Sequence, residues 1–131
     1  MTDNELIKIA DSMREKSYAP YSNFRVGAAL LCGDGSVITG CNVENISFGA
    51  TICAERTAFV KAISEGKSGF IKLAISASGG EIPTPCGICR QFMSEFAYDN
   101  FKVICKGDGG GCKAYTLSSL MPHSFKAEGL K

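Results

Sequence analysis

Apolar residues recur every three or four positions in several segments of the chain, which is the pattern of helices with one buried face. The first segment includes Leu6, Ala10 and Met13 and predicts an amphipathic helix. The second predicts a largely buried helix that stops near Gly66. Together with a helix that follows Pro85 and a short one near the C-terminus, the predicted helices cover residues 3–17, 53–65, 86–98 and 118–121.

Runs of apolar and β-branched residues between these helices predict strands. The run at residues 26–32 is apolar throughout, and Gly33-Asp34-Gly35 separates it from a second run that starts at Val37, so the two form a hairpin. Three further strands are predicted at residues 71–77, 101–105 and 114–117. This order of elements predicts a three-layer α/β/α sandwich with a mixed five-stranded sheet. At 131 residues we expect a single domain over residues 1–131.

Composition narrows the classes of function. Fourteen basic and thirteen acidic residues give a net charge of +1, without the basic blocks that nucleic-acid partners usually require. No stretch approaches the ~18 apolar residues of a membrane span, and the N-terminal segment lacks the apolar run of a secretory signal. We therefore expect a cytoplasmic protein that binds neither nucleic acid nor membrane. Its seven cysteines should be reduced thiols.

Two short segments, each at the start of a predicted helix, carry candidate chemistry: Cys53-Ala54-Glu55 and Pro85-Cys86-Gly87-Ile88-Cys89. The C-x-x-C spacing lets Cys86 and Cys89 converge on one ion, and a helix N-terminus favours the thiolate form of both. Cys53 can supply a third ligand. Three protein ligands leave the fourth tetrahedral position of zinc for water, whose pKa zinc can lower to ~7, so the pattern predicts a catalytic zinc site.

Glu55 is the candidate proton shuttle of this site. It lies two residues after Cys53, close enough to face the bound water without acting as a ligand. A non-ligand glutamate with a P-C-x-x-C pair is typical of zinc deaminases. Because zinc with three thiolates carries a net charge of −1, positive charge should compensate, and Arg56 and Arg90 are the candidates.

Other interpretations of the cysteines stay open at this stage. A C-x-x-C pair alone fits a redox pair or a structural zinc site as well as a catalytic one. In a non-enzymatic zinc module, one of the four remaining cysteines would close the fourth position; these are Cys32, Cys41, Cys105 and Cys112. Since they lie on or beside predicted strands, we expect small buried side chains instead. The single histidine, His123, is expected in a surface loop.

Several further segments occur together with the zinc motifs in a fixed order: Tyr18-Ala19-Pro20-Tyr21-Ser22-Asn23-Phe24, Val26-Gly27-Ala28-Ala29-Leu30, Gly40-Cys41-Asn42-Val43-Glu44-Asn45, Lys61-Ala62-Ile63-Ser64-Glu65-Gly66, Arg90-Gln91, and Leu120-Met121-Pro122 with Phe125. With these segments the chain resembles the cytidine deaminase family, specifically its short homotetrameric branch with three cysteine ligands. The similarity extends over nearly the whole chain. It implies one Zn²⁺ per subunit, held by Cys53, Cys86 and Cys89, and deamination of cytidine and deoxycytidine in pyrimidine salvage.

The resemblance also implies roles for individual side chains. Asn42 and Glu44 would hydrogen-bond the ribose hydroxyls, and Phe24 would pack edge-on against the base. Phe125 would stack on the base from a neighbouring subunit, so that the homotetramer shares its active sites. The remaining implied roles are these: Glu55 shuttles protons and contacts the pyrimidine, Ala54 belongs to the substrate site, Arg56 neutralises thiolates, and Gln91 lies behind Cys89.

Substrate alternatives remain within the enzyme class. Deaminases of bases in RNA or DNA share the catalytic core, although the near-neutral charge argues against a polyanionic substrate. Another nucleoside, or an antibiotic nucleoside, is a further candidate substrate. Phe48 stands where the family commonly has tyrosine, so one polar contact near the sugar or the subunit interface is in question. Ile88 stands where alanine is common, and the larger side chain could narrow the pocket.

Overall fold

The computed structural model describes residues 1–126 and contains four helices and five strands in this range. The helices are α1 (Asp3–Met13), α2 (Ala54–Ser64), α3 (Gly87–Phe96) and α4 (Leu117–Leu120). The strands are β1 (Val26–Leu31), β2 (Val37–Cys41), β3 (Lys72–Ala77), β4 (Lys102–Lys106) and β5 (Cys112–Thr116). Every element expected from the sequence is present, with ends displaced by a few residues. The largest displacement is at α1, which gives way to a 3₁₀ turn at Arg14–Lys16.

The five strands form one mixed sheet in the order β2-β1-β3-β4-β5. β1 pairs antiparallel with both β2 and β3, and β5 pairs antiparallel with β4. β3 and β4 run parallel, and the connection between them includes α3. This confirms the predicted mixed five-stranded sheet. The position of α3 fits the parallel pair, because parallel neighbours need a crossover long enough to hold a helix.

Helices cover both faces of the sheet, which confirms the α/β/α layering. On one face, α1 contributes Leu6, Ile7 and Ala10 to a core with Ala29 and Leu31 of β1. On the other face, α2 and α3 pack over the alternate residues of the same strand, such as Ala28 and Leu30. All six residues of β1 are buried because its two faces meet different helices.

Close packing fixes the position of α2 over the sheet. A Cβ atom at Gly40 of β2 would lie 2.6 Å from both the Ala54 carbonyl oxygen and the Ala58 backbone nitrogen, so only glycine allows this approach. Further along α2, the buried ring of Phe59 makes edge-on contacts with Phe70 and Phe101. The start of α2, which carries the predicted site residues Ala54, Glu55 and Arg56, is therefore held against the sheet. None of the helices within residues 1–126 has the length and apolar character needed to cross a membrane.

Candidate metal centre and active site

The sulfur atoms of Cys53, Cys86 and Cys89 form a compact cluster in which all three lie within 4.8 Å of one another. The Sγ atoms of Cys53 and Cys86 are 3.8 Å apart, and those of Cys86 and Cys89 are 3.4 Å apart. Zinc–thiolate bonds of about 2.3 Å at tetrahedral angles place sulfurs about 3.8 Å apart. The three cysteines therefore fit a zinc ion, and no fourth ligating side chain joins them within residues 1–126.

Helix N-termini hold this cluster. Cys53 is the N-cap residue of α2 and Cys86 is the N-cap residue of α3, both with extended backbone, while Cys89 lies in the first turn of α3. Backbone N–H groups at such ends lack intrahelical acceptors and carry partial positive charge. Two helix starts that meet at one point therefore favour the thiolate forms that a metal ion requires.

Arg56 supplies further positive charge beside the sulfurs. Its Nη2 lies 3.6 Å from Cys53 Sγ and also donates to the Thr51 carbonyl oxygen at 3.3 Å. A hydrogen bond from the Cys89 thiol, together with the Arg56 guanidinium, lowers the pKa of Cys53 to about 5. The neighbouring Cys53 thiolate and burial raise the pKa of Cys89. Arg56 thus lies against the cluster, and its predicted role in neutralising the thiolates stays a prediction.

Glu55 lies beside the cluster, with only 5% of its surface exposed. Burial, assisted by the nearby Cys53 sulfur, raises the pKa of this carboxyl group to about 7. A carboxyl group with a pKa near neutrality can both accept and return a proton, which is the property that general acid–base catalysis needs. Its position at the second residue of α2 follows from Cys53 being the N-cap.

A pocket of about 250 Å³ opens at the cluster. Its wall includes Cys53, Cys86 and Glu55 together with side chains predicted to bind substrate, namely Phe24, Asn42, Glu44 and Ala54. The volume lies slightly below the range of ~300–1,000 Å³ for ligand sites, which suits a small ligand. Our sequence analysis did not single out Val26, Thr51, Ile75 or Pro83, which also line the pocket, as site residues because their types carry no distinctive chemistry.

Asn42 and Glu44 are held rigidly at the end of β2. Asn42 is buried, and its amide group accepts from the Val26 backbone nitrogen at 2.9 Å and donates to the Phe24 carbonyl at 2.7 Å. Glu44 Oε1 accepts from the backbone nitrogens of Tyr21 and Ser22 at 2.9 and 3.2 Å. Both side chains keep hydrogen-bonding capacity for a ligand, because an amide has four such sites and a carboxylate about four.

A family model for the cytidine and deoxycytidylate deaminase zinc-binding region matches residues 1–105 of the chain. The chain belongs to this deaminase family. A cytidine deaminase of Halalkalibacterium halodurans is 49% identical over 123 residues, which cover 94% of this chain and 93% of the relative. One of Sporosarcina psychrophila is 42% identical over 130 residues, covering 99% and 96%. The crystal structure of a Burkholderia pseudomallei cytidine deaminase, 42% identical, superposes with a TM-score of 0.92 and covers 95% of this chain and 100% of that one.

Within this deaminase fold, Arg90 has a structural position. Its Nε donates to the Pro85 carbonyl at 2.7 Å, Nη1 donates to the Leu120 carbonyl at 2.9 Å, and Nη2 lies 3.2 Å from Thr84 Oγ1. The guanidinium therefore clamps the loop before Cys86 to the end of α4. The sequence left Arg90 as a candidate for neutralising the thiolates, and its guanidinium instead contacts the loop and α4.

Gln91 of the deaminase chain pairs with the backbone of Phe125. Its Nε2 donates to the Phe125 carbonyl at 2.7 Å, and its Oε1 accepts from the Phe125 backbone nitrogen at 3.2 Å. The predicted role of Gln91 behind Cys89 stays a prediction. Phe125 is 65% exposed and does not line the pocket of its own chain.

The other four cysteines of this family member differ in burial. Cys32 and Cys105 are buried, as expected, and burial raises the pKa of the Cys105 thiol to about 12. Cys41 is only partly buried, and Cys112 is exposed, so the expectation of a buried side chain was wrong for Cys112. Cys112 begins the edge strand β5, where one face of the sheet meets solvent. His123 is exposed, as expected.

Proposed function

We propose that this protein is a zinc-dependent deaminase that hydrolyses cytidine and deoxycytidine to uridine and deoxyuridine with release of ammonia. One observation carries the proposal: Cys53, Cys86 and the buried Glu55 line the same pocket as Phe24, Asn42 and Glu44. A metal site next to a proton-transfer group specifies hydrolysis. Polar and aromatic groups a short distance away suit a sugar and a planar base.

Cys53, Cys86 and Cys89 would hold the zinc ion, one per subunit. When bound there, zinc supplies a water molecule with a pKa lowered to about 7, which makes a nucleophile available at neutral pH. Arg56 offsets the excess negative charge of three thiolates through its contact with Cys53. This compensation matters because a net negative site would otherwise keep the water's pKa higher.

Glu55 carries the protons of the reaction. It takes one from the attacking water and delivers it to N3 of the base while the water oxygen bonds to C4. It then moves the remaining proton of that oxygen, now bonded to C4, to the exocyclic amino group, the C4–N bond breaks, and ammonia leaves with a C4 carbonyl formed. By the family resemblance, a backbone carbonyl of the Thr84-Pro85 segment, just before Cys86, would accept from that amino group; Thr84 lines the pocket. One water is consumed, and no redox step is needed.

The remaining pocket side chains select the nucleoside. Asn42 and Glu44 would bind the ribose hydroxyls with the capacity left after their backbone contacts. Phe24, 45% exposed at the pocket, would pack its ring edge against the base. Ala54, fully buried at the start of α2, completes the wall beside Glu55. The metal centre thus sets the reaction, and these residues set the substrate.

Steady-state rates on a panel of substrates test the proposal. Cytidine and deoxycytidine should both be deaminated, while cytidine monophosphate and free cytosine should react far more slowly, because one adds a dianion and the other lacks the sugar. A protein that deaminates neither cytidine nor deoxycytidine would refute the proposal. Turnover of an antibiotic nucleoside such as blasticidin alone would favour the alternative substrate class.

Assembly belongs to the same proposal. We infer a single catalytic domain that forms a cytoplasmic homotetramer for pyrimidine salvage, with Phe125 of one subunit stacking on the base bound by a neighbour. Support comes from the exposed Phe125 ring, whose backbone Gln91 holds in place, and from other exposed apolar side chains, such as Ile46 and Phe48 at 81% and 77% exposure. Large apolar side chains that are this exposed favour association with another protein surface.

A complementation experiment measures whether the site is shared. Phe125→Ala should raise KM for cytidine by about tenfold, since base–aromatic stacking is worth ~1–3 kcal/mol. Tetramers co-assembled from Phe125→Ala and Glu55→Gln chains contain sites that combine an intact Glu55 with a neighbour's intact Phe125. Their activity at low substrate concentration should therefore exceed the sum of the two variants assayed separately.

Light scattering of the same samples should give four times the chain mass. Tyr98→Ala, which removes another exposed aromatic ring, serves as the control and should leave KM unchanged. A monomer with full activity, or mixed tetramers without a gain, would contradict the shared site.

A further inference from the structure

The loop at residues 21–24 joins the two halves of the substrate pocket. It carries Phe24 at one end and runs beside Glu44 at the other. Asn23 adopts a φ of 58°, in the left-handed region that residues other than glycine seldom occupy, and its backbone nitrogen donates to the Ala19 carbonyl at 2.9 Å. The loop therefore holds a conformation that needs specific contacts to persist.

The Ser22 hydroxyl supplies two of these contacts. It donates its proton to Glu44 Oε2 and accepts a hydrogen bond from the Phe24 backbone nitrogen at 3.0 Å. The oxygen thus bridges the carboxylate at the sugar end of the pocket and the backbone of the residue at the base end. Ser22 does not itself line the pocket described above.

The bridge also orients the Glu44 carboxylate. Oε1 receives two backbone N–H groups, from Tyr21 and Ser22, and Oε2 receives the Ser22 hydroxyl. These three bonds leave roughly one acceptor site of the carboxylate, on Oε2, for a substrate hydroxyl. The hydrogen bond from Ser22 also lowers the pKa of Glu44, which keeps this carboxylate ionised.

Phe24 is anchored from both sides of its peptide. Its nitrogen donates to Ser22, and its carbonyl accepts from Asn42 Nδ2 at 2.7 Å. Both proposed sugar-binding side chains are therefore linked to the residue that would pack against the base, Asn42 directly and Glu44 through Ser22. A nucleoside that uses all three groups would find them already in place, and binding would lose little conformational entropy.

We propose that Ser22 is a positioning residue that couples sugar recognition by Glu44 to base packing by Phe24. The proposal rests on the proposed nucleoside deaminase function and adds a specificity determinant to it. Because Ser22 touches no reacting atom, its removal should weaken binding of substrate and transition state equally. Such a loss raises KM and leaves kcat unchanged.

Steady-state kinetics of Ser22→Ala test this coupling. KM for cytidine should rise roughly tenfold, the loss expected from one hydrogen bond to a charged partner, with kcat within about twofold of wild type. Ser22→Thr keeps the hydroxyl at an exposed position, so its KM for cytidine should lie within about twofold of the wild-type value. Ser36→Ala is the matched control, since Ser36 makes the same kind of bond, Oγ to Asp34 Oδ1 at 2.6 Å, in the β1–β2 turn.

A double-mutant cycle separates positioning from general loop stability. In a Glu44→Ala background, Ser22→Ala should raise KM by only about threefold or less, because one partner of the bridge is already gone. An unchanged KM in Ser22→Ala, full additivity in the cycle, or an equal KM rise in Ser36→Ala would each overturn the proposal. Wild-type enzyme without activity on cytidine would instead refute the proposed function itself.

Discussion

Glu55→Gln is expected to lower kcat for cytidine by about 10²–10⁴-fold, the share of a rate enhancement that general acid–base catalysis usually supplies. Glutamine has nearly the same shape as glutamate, so the buried position in α2 should tolerate it. Its amide cannot accept and return a proton, and both proton transfers of the reaction would lose their carrier. The loss should appear in kcat, measured from the absorbance change as cytidine becomes uridine.

Zinc content and thermal stability of the same variant separate catalysis from structure. We expect one zinc per chain and a melting curve close to wild type, because Glu55 is not a ligand in our account. Glu65→Gln, at the exposed C-cap of the same helix, is the matched control and should retain full activity. Undiminished ammonia release from Glu55→Gln would show that another group shuttles the protons.

Cys86→Ala is expected to remove zinc and activity together. Two thiolates and water hold zinc far less tightly than three thiolates, so the metal should be lost on dialysis, and kcat should fall to background. Loss of zinc should also lower the stability of the folded variant, because a ligand at 100 times its Kd stabilises a folded state by about 2.7 kcal/mol. Added zinc should therefore raise the Tm of the wild-type apoprotein but not of the variant.

Cys112→Ala provides the matched control for this experiment. Cys112 is exposed at the start of β5 and lies outside the three-sulfur cluster, so its loss should change neither zinc content nor rate. Full zinc stoichiometry in Cys86→Ala would mean that the metal binds elsewhere. Loss of zinc in Cys112→Ala would point to a fourth thiolate and thus to a closed structural site.

Most of the fold could be predicted from apolar periodicity because the buried faces are long and regular. Continuous apolarity from Val26 indicated a strand, and β1 pairs with a strand on each side and has helices on both faces. Periodicity is weaker at element ends and sheet edges. The exposed Cys112 illustrates this, since its apolar type suggested burial but its edge strand has an exposed outer face.

The candidate site divides in the same way. The C-x-x-C spacing predicted that Cys86 and Cys89 lie together at one helix N-terminus, and the position of Glu55 followed from that of Cys53. That Cys53 joins the pair depends on how the two helix starts meet, which spacing alone does not fix. The contacts of Ser22, Arg90 and Gln91 could not be predicted, because each joins backbone groups of loops whose path no periodic pattern describes. Loops that position functional groups are the part of a site that needs coordinates.

The most direct test of the account is a spectrophotometric cytidine assay of the purified protein before and after zinc chelation. The account predicts deamination by the untreated protein, loss of at least about 99% of the rate after chelator treatment, and recovery on adding one equivalent of zinc, as expected when zinc supplies the nucleophile. Chelated protein that contains no zinc and still deaminates cytidine at the full rate would contradict it.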